Sequence, residues 1–105
     1  MSKVLVYLHS QLVGELEEVL QEKGRQFRFS YVPNYEGAPI SLAMPISKSV
    51  YIFDTFPPFF DGLLPEGLQL AGLLRHMKLD SKDYMGQLLC VGKDLVGAVT
   101  VEESK

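Results

Sequence analysis

Cysteine occurs once in this 105-residue chain, as Cys90, so no internal disulfide can form and a cystine-stapled secreted scaffold is excluded. That thiol stands in the apolar run Leu88-Leu89-Cys90-Val91, where a buried and inert side chain is expected rather than a nucleophile. Histidine is scarce too. His9 and His76 stand far apart, with no CxxC or HxxxH spacing, and a zinc site has no ligand set to draw on. No apolar run approaches the roughly 18 residues that span a bilayer. Met1-Ser2-Lys3 and the short apolar run after it lack the length and the cleavage site of a signal peptide, which makes the cytoplasm the expected compartment. Positive charge is also in deficit. The formal net charge is −3 and the basic residues are scattered, so no surface for neutralising nucleic-acid phosphates is expected. Lys23, Arg25 and Arg28, the nearest approach to a basic cluster, read as a solvated strand edge.

Repeats, low-complexity stretches and linkers are absent as well, which leaves one domain over 1–105, long enough to bury roughly two thirds of its unfolded surface. With 47% hydrophobic and 22% charged residues the chain has the composition of a soluble globular protein, and global disorder is excluded. Lys3 to His9 is a β-branched and aromatic run that predicts a strand, with Gln11 to Leu16 returning beside it after a tight join at Ser10. Leu16, Val19 and Leu20, with acidic residues leading and Lys23 trailing, predict a helix over Glu15 to Lys23 that Gly24 ends. Arg25 to Tyr31 alternates polar and aromatic residues and predicts a strand with Phe27, Phe29 and Tyr31 inward.

Pro33 to Pro39 reads as a loop, and Ile40 to Pro45 as a further strand with Ile40, Leu42 and Met44 on one side. Val50 to Phe53 is either a short strand or an extended approach to Pro57-Pro58, a pair suited to opening a helix over Phe59 to Leu64. A second helix over Glu66 to Lys78 carries the stripe Leu70, Leu73, Leu74 and Met77. Asp80 to Asp83 offers N-cap chemistry for a third that Gly92 terminates. Leu95 to Val101 predicts a last strand, followed by a polar tail from Glu102 to Lys105. Strands, then clustered helices, then a strand indicate an α+β domain: a small antiparallel or mixed sheet with two or three short helices packed together.

Chemistry has little to stand on. Asp54, Asp61, Glu66, Asp94, His9 and His76 are the titratable candidates, and none belongs to a recognisable catalytic pair. Ser10 lies beside His9 without an orienting third group. Gly92-Lys93-Asp94-Leu95-Val96-Gly97-Ala98 has the glycines and lysine of a phosphate loop but the wrong order, with the lysine first and a strand following. Gly97 and Ala98 read instead as a close approach between elements, and no cofactor is expected. The dense feature is apolar: Phe53, Phe56, Pro57, Pro58, Phe59, Phe60, Leu63 and Leu64. If Phe60, Leu63 and Leu64 turn inward, Phe56, Phe59 or Leu68 projects outward as an interface patch; the alternative is that all of them are core.

Five segments in order resemble the first N-terminal subdomain of the HipA-type serine/threonine kinases. They are Val13-Gly14-Glu15-Leu16, Phe29-Ser30-Tyr31, Pro39-Ile40-Ser41-Leu42-Ala43-Met44-Pro45, Phe60-Asp61-Gly62-Leu63-Leu64-Pro65-Glu66-Gly67, and Gly92 to Ala98. The resemblance covers nearly the whole chain and implies a bacterial toxin–antitoxin setting. There this subdomain packs on a kinase core without supplying its catalytic Asp, phosphate loop or metal ligands, so the chain is expected to be no enzyme. In three-part systems the subdomain is a separate, HipS-like antitoxin beside a HipT-like kinase and a HipB-like helix-turn-helix DNA-binding protein. The resemblance thus implies an antitoxin that inhibits the kinase at its ATP-binding phosphate loop, or else a structural or activating accessory subunit. The partner-binding residues it suggests are Phe56, Phe59, Asp61, Leu64, Pro65, Glu66, Gly67 and Leu68. The opening Met1 and the charged tail suit a complete product.

Overall fold

A computed structural model describes residues 2–64, 67–80, 82–92 and 99–104. Its first three strands, β1 (Ser2–Leu8), β2 (Gln11–Gln21) and β3 (Gly24–Tyr31), form an antiparallel meander. β4 (Val50–Phe53) joins the far side of β3 and β5 (Val99–Glu103) returns to the far side of β1, giving the all-antiparallel order β4-β3-β2-β1-β5. Three helices, α1 (Pro58–Asp61), α2 (Gly67–Met77) and α3 (Tyr84–Val91), lie between β4 and β5 in the chain. The fold is the expected α+β domain.

Alternation puts one sheet face in the core. Val4 and Val6, Leu16, Phe27, Phe29 and Tyr31, and Val99 and Val101 are buried there with Phe56, Phe60, Leu64, Met85 and Leu88. The opposite face carries Lys3, Glu15, Glu17 and Arg28, joined as Lys3–Glu15 at 3.5 Å and as Arg28–Glu17. The β1–β2 join turns through His9 and Ser10, both at positive φ (50° and 67°), as a two-residue hairpin of the primed kind requires. A bulge at Val13 of β2 lies opposite the step from Val6 to Tyr7, where the register shifts. Gly14 lies there because a Cβ would overlap the Ser30 carbonyl oxygen and the Phe29 ring.

Two expectations are corrected here. The segment predicted as a helix over Glu15 to Lys23 continues β2, since cross-strand partners outweigh a weak leucine stripe: Glu17 meets Arg28 and Glu18 meets Arg25. Leu20, which the helix would have buried, is exposed, and Gly24 (φ 128°) closes a hairpin instead of capping a helix. The strand predicted over Ile40 to Pro45 is a turn-containing loop, closed by the Met44 N–H donating to the Ser41 carbonyl at 3.0 Å. Ile40 and Met44 are buried as expected, but Leu42 is 97% exposed.

At the other end, the Asp83 side chain accepts from the Gly86 N–H at 3.0 Å to cap α3, as its sequence position predicts. Gly92 ends α3 against β5 without any left-handed backbone. What requires glycine there is proximity, for a Cβ would lie 2.5 Å from the Val101 carbonyl oxygen. Cys90 is a free thiol, half-buried rather than enclosed. Glu102 and Glu103 belong to β5 and pair with Leu5 and Val4, so the polar tail begins later than expected. The reading of Lys93 to Ala98 lies outside the described residues, as does the start of the predicted last strand.

Candidate docking surface

The chain leaves β4 at Phe53, turns Phe56 back into the core and enters α1 through two prolines. Pro57 is extended (φ −58°, ψ 132°), the conformation imposed on a residue preceding proline, and Pro58 opens the helix where its missing N–H costs nothing. The single turn that follows is held by the Asp61 N–H on the Pro57 carbonyl at 2.9 Å and the Gly62 N–H on Pro58 at 3.0 Å. This turn divides the aromatic run. Phe60 is fully buried and packs on Phe29 with ring centroids 5.8 Å apart. Phe59 stays half-buried at the surface, its ring set edge to face against Phe60 at 5.1 Å.

Phe56 does not project outward as one of the expected patch residues. It is only 7% exposed, stacked on Tyr84 at 5.0 Å and edge-on to Phe27 at 5.3 Å. The reason is that the chain after β4 must close the end of the sheet before α1 begins, and Phe56 fills that space. Leu64 is buried in the core as well, while Asp61 is exposed. Pro65 and Glu66 lie outside the described residues. Gly67 and Leu68 open α2, and the Leu68 side chain is not among those described.

Beside Phe59 the structure forms an apolar cleft of about 390 Å³. Ser41, Ala43 and Met44 line it from the loop, Tyr51 and Phe53 from β4, and Pro57, Pro58 and Phe59 from the helix entry. It exists because Tyr51 and Phe53 share the inward face of the sheet with Phe29 and Phe27, their register partners, yet remain half-buried at its edge. The loop wall is tied down twice. Tyr31 donates its hydroxyl to the Met44 carbonyl and accepts the Ile40 N–H at 3.1 Å, while the Tyr51 hydroxyl donates to the Pro45 carbonyl at 2.6 Å. Burial raises the Tyr31 phenol above its ordinary value of 10.0, against the opposing effect of the Ile40 N–H, so it is a proton donor at neutral pH.

Sequence reasoning missed this half of the surface. The alternation of Ile40, Leu42 and Met44 suggested a strand; the bracketing Pro39 and Pro45 were the signal for a loop. Arg25 also departs from the solvated edge expected of it. Its guanidinium lies 5.7 Å from the Phe27 ring centroid and 5.3 Å from that of Tyr84, and it donates to Glu18 at 2.9 Å and to the Lys82 carbonyl at 2.7 Å. It therefore ties the lead-in of α3 to the sheet.

The titratable candidates among the described residues are dispersed over the fold, and Glu66 and Asp94 lie outside them. His9 occupies the first hairpin, Asp54 follows β4 and accepts from the Gln26 amide at 3.3 Å, and His76 lies in the last turn of α2. Among the described residues no three His, Cys, Asp or Glu side chains converge as metal ligands would, and no helix is long and apolar enough to cross a membrane.

Three comparisons bear on this geometry. A family model described as the HipA N-terminal domain matches residues 4–102. An uncharacterized protein from Haemophilus influenzae (strain Rd) is 38% identical over 100 residues, a span covering 95% of this chain and 91% of the relative. Among solved structures, an N-terminal domain of HipA toxin matches with a TM-score of 0.75 at 31% identity, covering 100% of this chain and 94% of that one.

Proposed function

Because the chain belongs to the HipA N-terminal domain family, we propose that it is a noncatalytic, HipS-like antitoxin that binds a HipT/HipA-like serine/threonine kinase and inhibits it. The observation that carries this reading is the apolar cleft bordered by Phe59, with the fully exposed Leu42 on the loop that forms its wall and the Asp61 carboxylate on the helix that forms its other side. An apolar hollow with large hydrophobic groups at its rim suits a protein partner, since each buried side chain of that size contributes about 1.5–3 kcal/mol. The segment from Phe59 to Leu68 docks beside the kinase phosphate loop and holds it in a form that does not accept ATP. A hundredfold shift toward that form requires a preference of about 2.7 kcal/mol, which a few anchors supply.

Phe59 and Leu68 are the proposed anchors, with Asp61, Pro65, Glu66 and Gly67 as further proposed contacts and the buried Phe56 and Leu64 in supporting roles. A HipB-like DNA-binding protein is the further partner in this setting, and the cytoplasm the compartment. Calorimetric titration of the kinase tests the surface: Phe59→Ala and Leu68→Asp each weaken binding at least tenfold, equivalent to about 1.4 kcal/mol. Unchanged affinity in both variants removes this surface from the reading. The direction of the effect on phosphorylation separates an inhibitor from an activating or scaffolding subunit.

A further inference from the structure

Among the described strands, β4 ends the sheet, with β3 on one side and no strand on the other. The Tyr31 N–H donates to the Ser49 carbonyl at 2.9 Å, so the hydrogen-bonded pairs of the β3–β4 ladder fall on 49, 51 and 53. Antiparallel alternation then points the backbone N–H and C=O of Val50 and Ile52 away from β3, toward the open edge. Their side chains stand on the sheet face opposite the helices, and both are exposed. The strand is flanked by one charge of each sign, Lys48 before it and Asp54 after it, both exposed.

We propose that β4 is a self-complementary edge on which a second copy of this chain lays its own β4, antiparallel and centred on Tyr51. In that register position 50 faces position 52 of the second copy, and both residues present outward backbone groups, so each such pair exchanges two ladder hydrogen bonds. Val50 meets Ile52 on the exposed face, and at each end Lys48 of one copy lies opposite Asp54 of the other. The charges select the register. A shift of two residues sets Lys48 against Ile52 or Phe56 and leaves both charges without a partner, while a shift of one puts the wrong faces together. Lys48, whose ammonium lies 5.2 Å from the Tyr51 ring centroid, has a flexible stem that reaches either the ring or the carboxylate. Pairing also closes an edge that offers unpaired backbone groups to other chains.

Sedimentation of the full chain over roughly a hundredfold concentration series in the sub-millimolar range reads this directly. The wild-type chain passes from monomer to dimer as concentration rises; a monomer throughout overturns the proposal, including the case in which the edge accepts a strand only from another protein. Asp54→Lys, which sets like charges opposite one another at both ends, and Lys48→Asp each abolish the dimer. The double exchange Lys48→Asp with Asp54→Lys restores it, because the opposed pair is re-formed with its signs reversed. A dimer indifferent to the single changes, or a natively folded double variant that stays monomeric by the same measurement, overturns the self-pairing. None of these outcomes depends on the kinase reading.

Discussion

Tyr31 reaches across the β4 end of the domain to donate its hydroxyl to the Met44 carbonyl, and the same oxygen accepts the Ile40 N–H. One phenol thus satisfies two buried backbone groups of a loop that has no ladder of its own, and that loop is a wall of the apolar cleft. Tyr31→Phe leaves both groups without this partner. The variant is expected to lose about 1–3 kcal/mol of stability in denaturant unfolding. Hydrogen exchange of the Ile40 amide should accelerate by more than the global loss explains; equal protection in both proteins contradicts the assigned role.

The same phenol predicts an alkaline limit. Its pKa is raised in the folded state, chiefly by burial, so the folded protein holds this proton more tightly than the unfolded chain does. The corresponding stability is fully present below about pH 10 and is lost as pH rises through the folded value. Tyr7 acts in the same direction, through desolvation and then the neighbouring Glu102 carboxylate. Urea unfolding across this range should show a steeper decline for the wild-type chain than for Tyr31→Phe. Identical slopes contradict the assignment.

Phe56 and Phe59 separate core from surface. Phe56→Ala removes a ring enclosed by Phe27, Tyr84 and Phe60 and should cost about 3–5 kcal/mol. Phe59→Ala removes a half-buried ring that rests on Phe60 and should cost roughly 1–2 kcal/mol while leaving the fold intact. Thermal unfolding of the two variants checks the order, and a greater loss at Phe59 would reverse the assignment of core and surface.

Gly92→Ala should destabilise by about 1–3 kcal/mol, since the new methyl meets the backbone oxygen of Val101, which has no rotamer by which to move aside. Ordinary helix-ending glycine at negative φ would instead tolerate alanine. An unfolding midpoint equal to wild type removes the close-packing account of this position.

Much of the fold was legible because hydrophobic alternation acts locally. Phe27, Phe29 and Tyr31 face inward as their spacing predicts, and Pro58 and Asp83 mark the starts of α1 and α3. Where nonlocal partners decided, local reading failed. Glu17 and Glu18 lie in a strand because Arg28 stands opposite the first and Arg25 reaches the second on the diagonal, a pairing that the helix-like spacing of Leu16, Val19 and Leu20 cannot reveal. Leu42 shares the alternation of Ile40 and Met44 but is exposed, because Tyr31, distant in sequence, holds that segment as a loop. At the candidate site the surplus of aromatic residues was evident from composition. Which ring is outermost was not, since Phe56 is buried by Tyr84 of α3, distant in sequence.

The most direct test is phosphate transfer by the HipT/HipA-like kinase, measured as this chain is titrated in. Transfer should fall as the complex saturates near stoichiometric amounts, and Phe59→Ala should relieve the inhibition while remaining folded. Transfer that continues undiminished, or rises, in a complex shown to have formed contradicts the account.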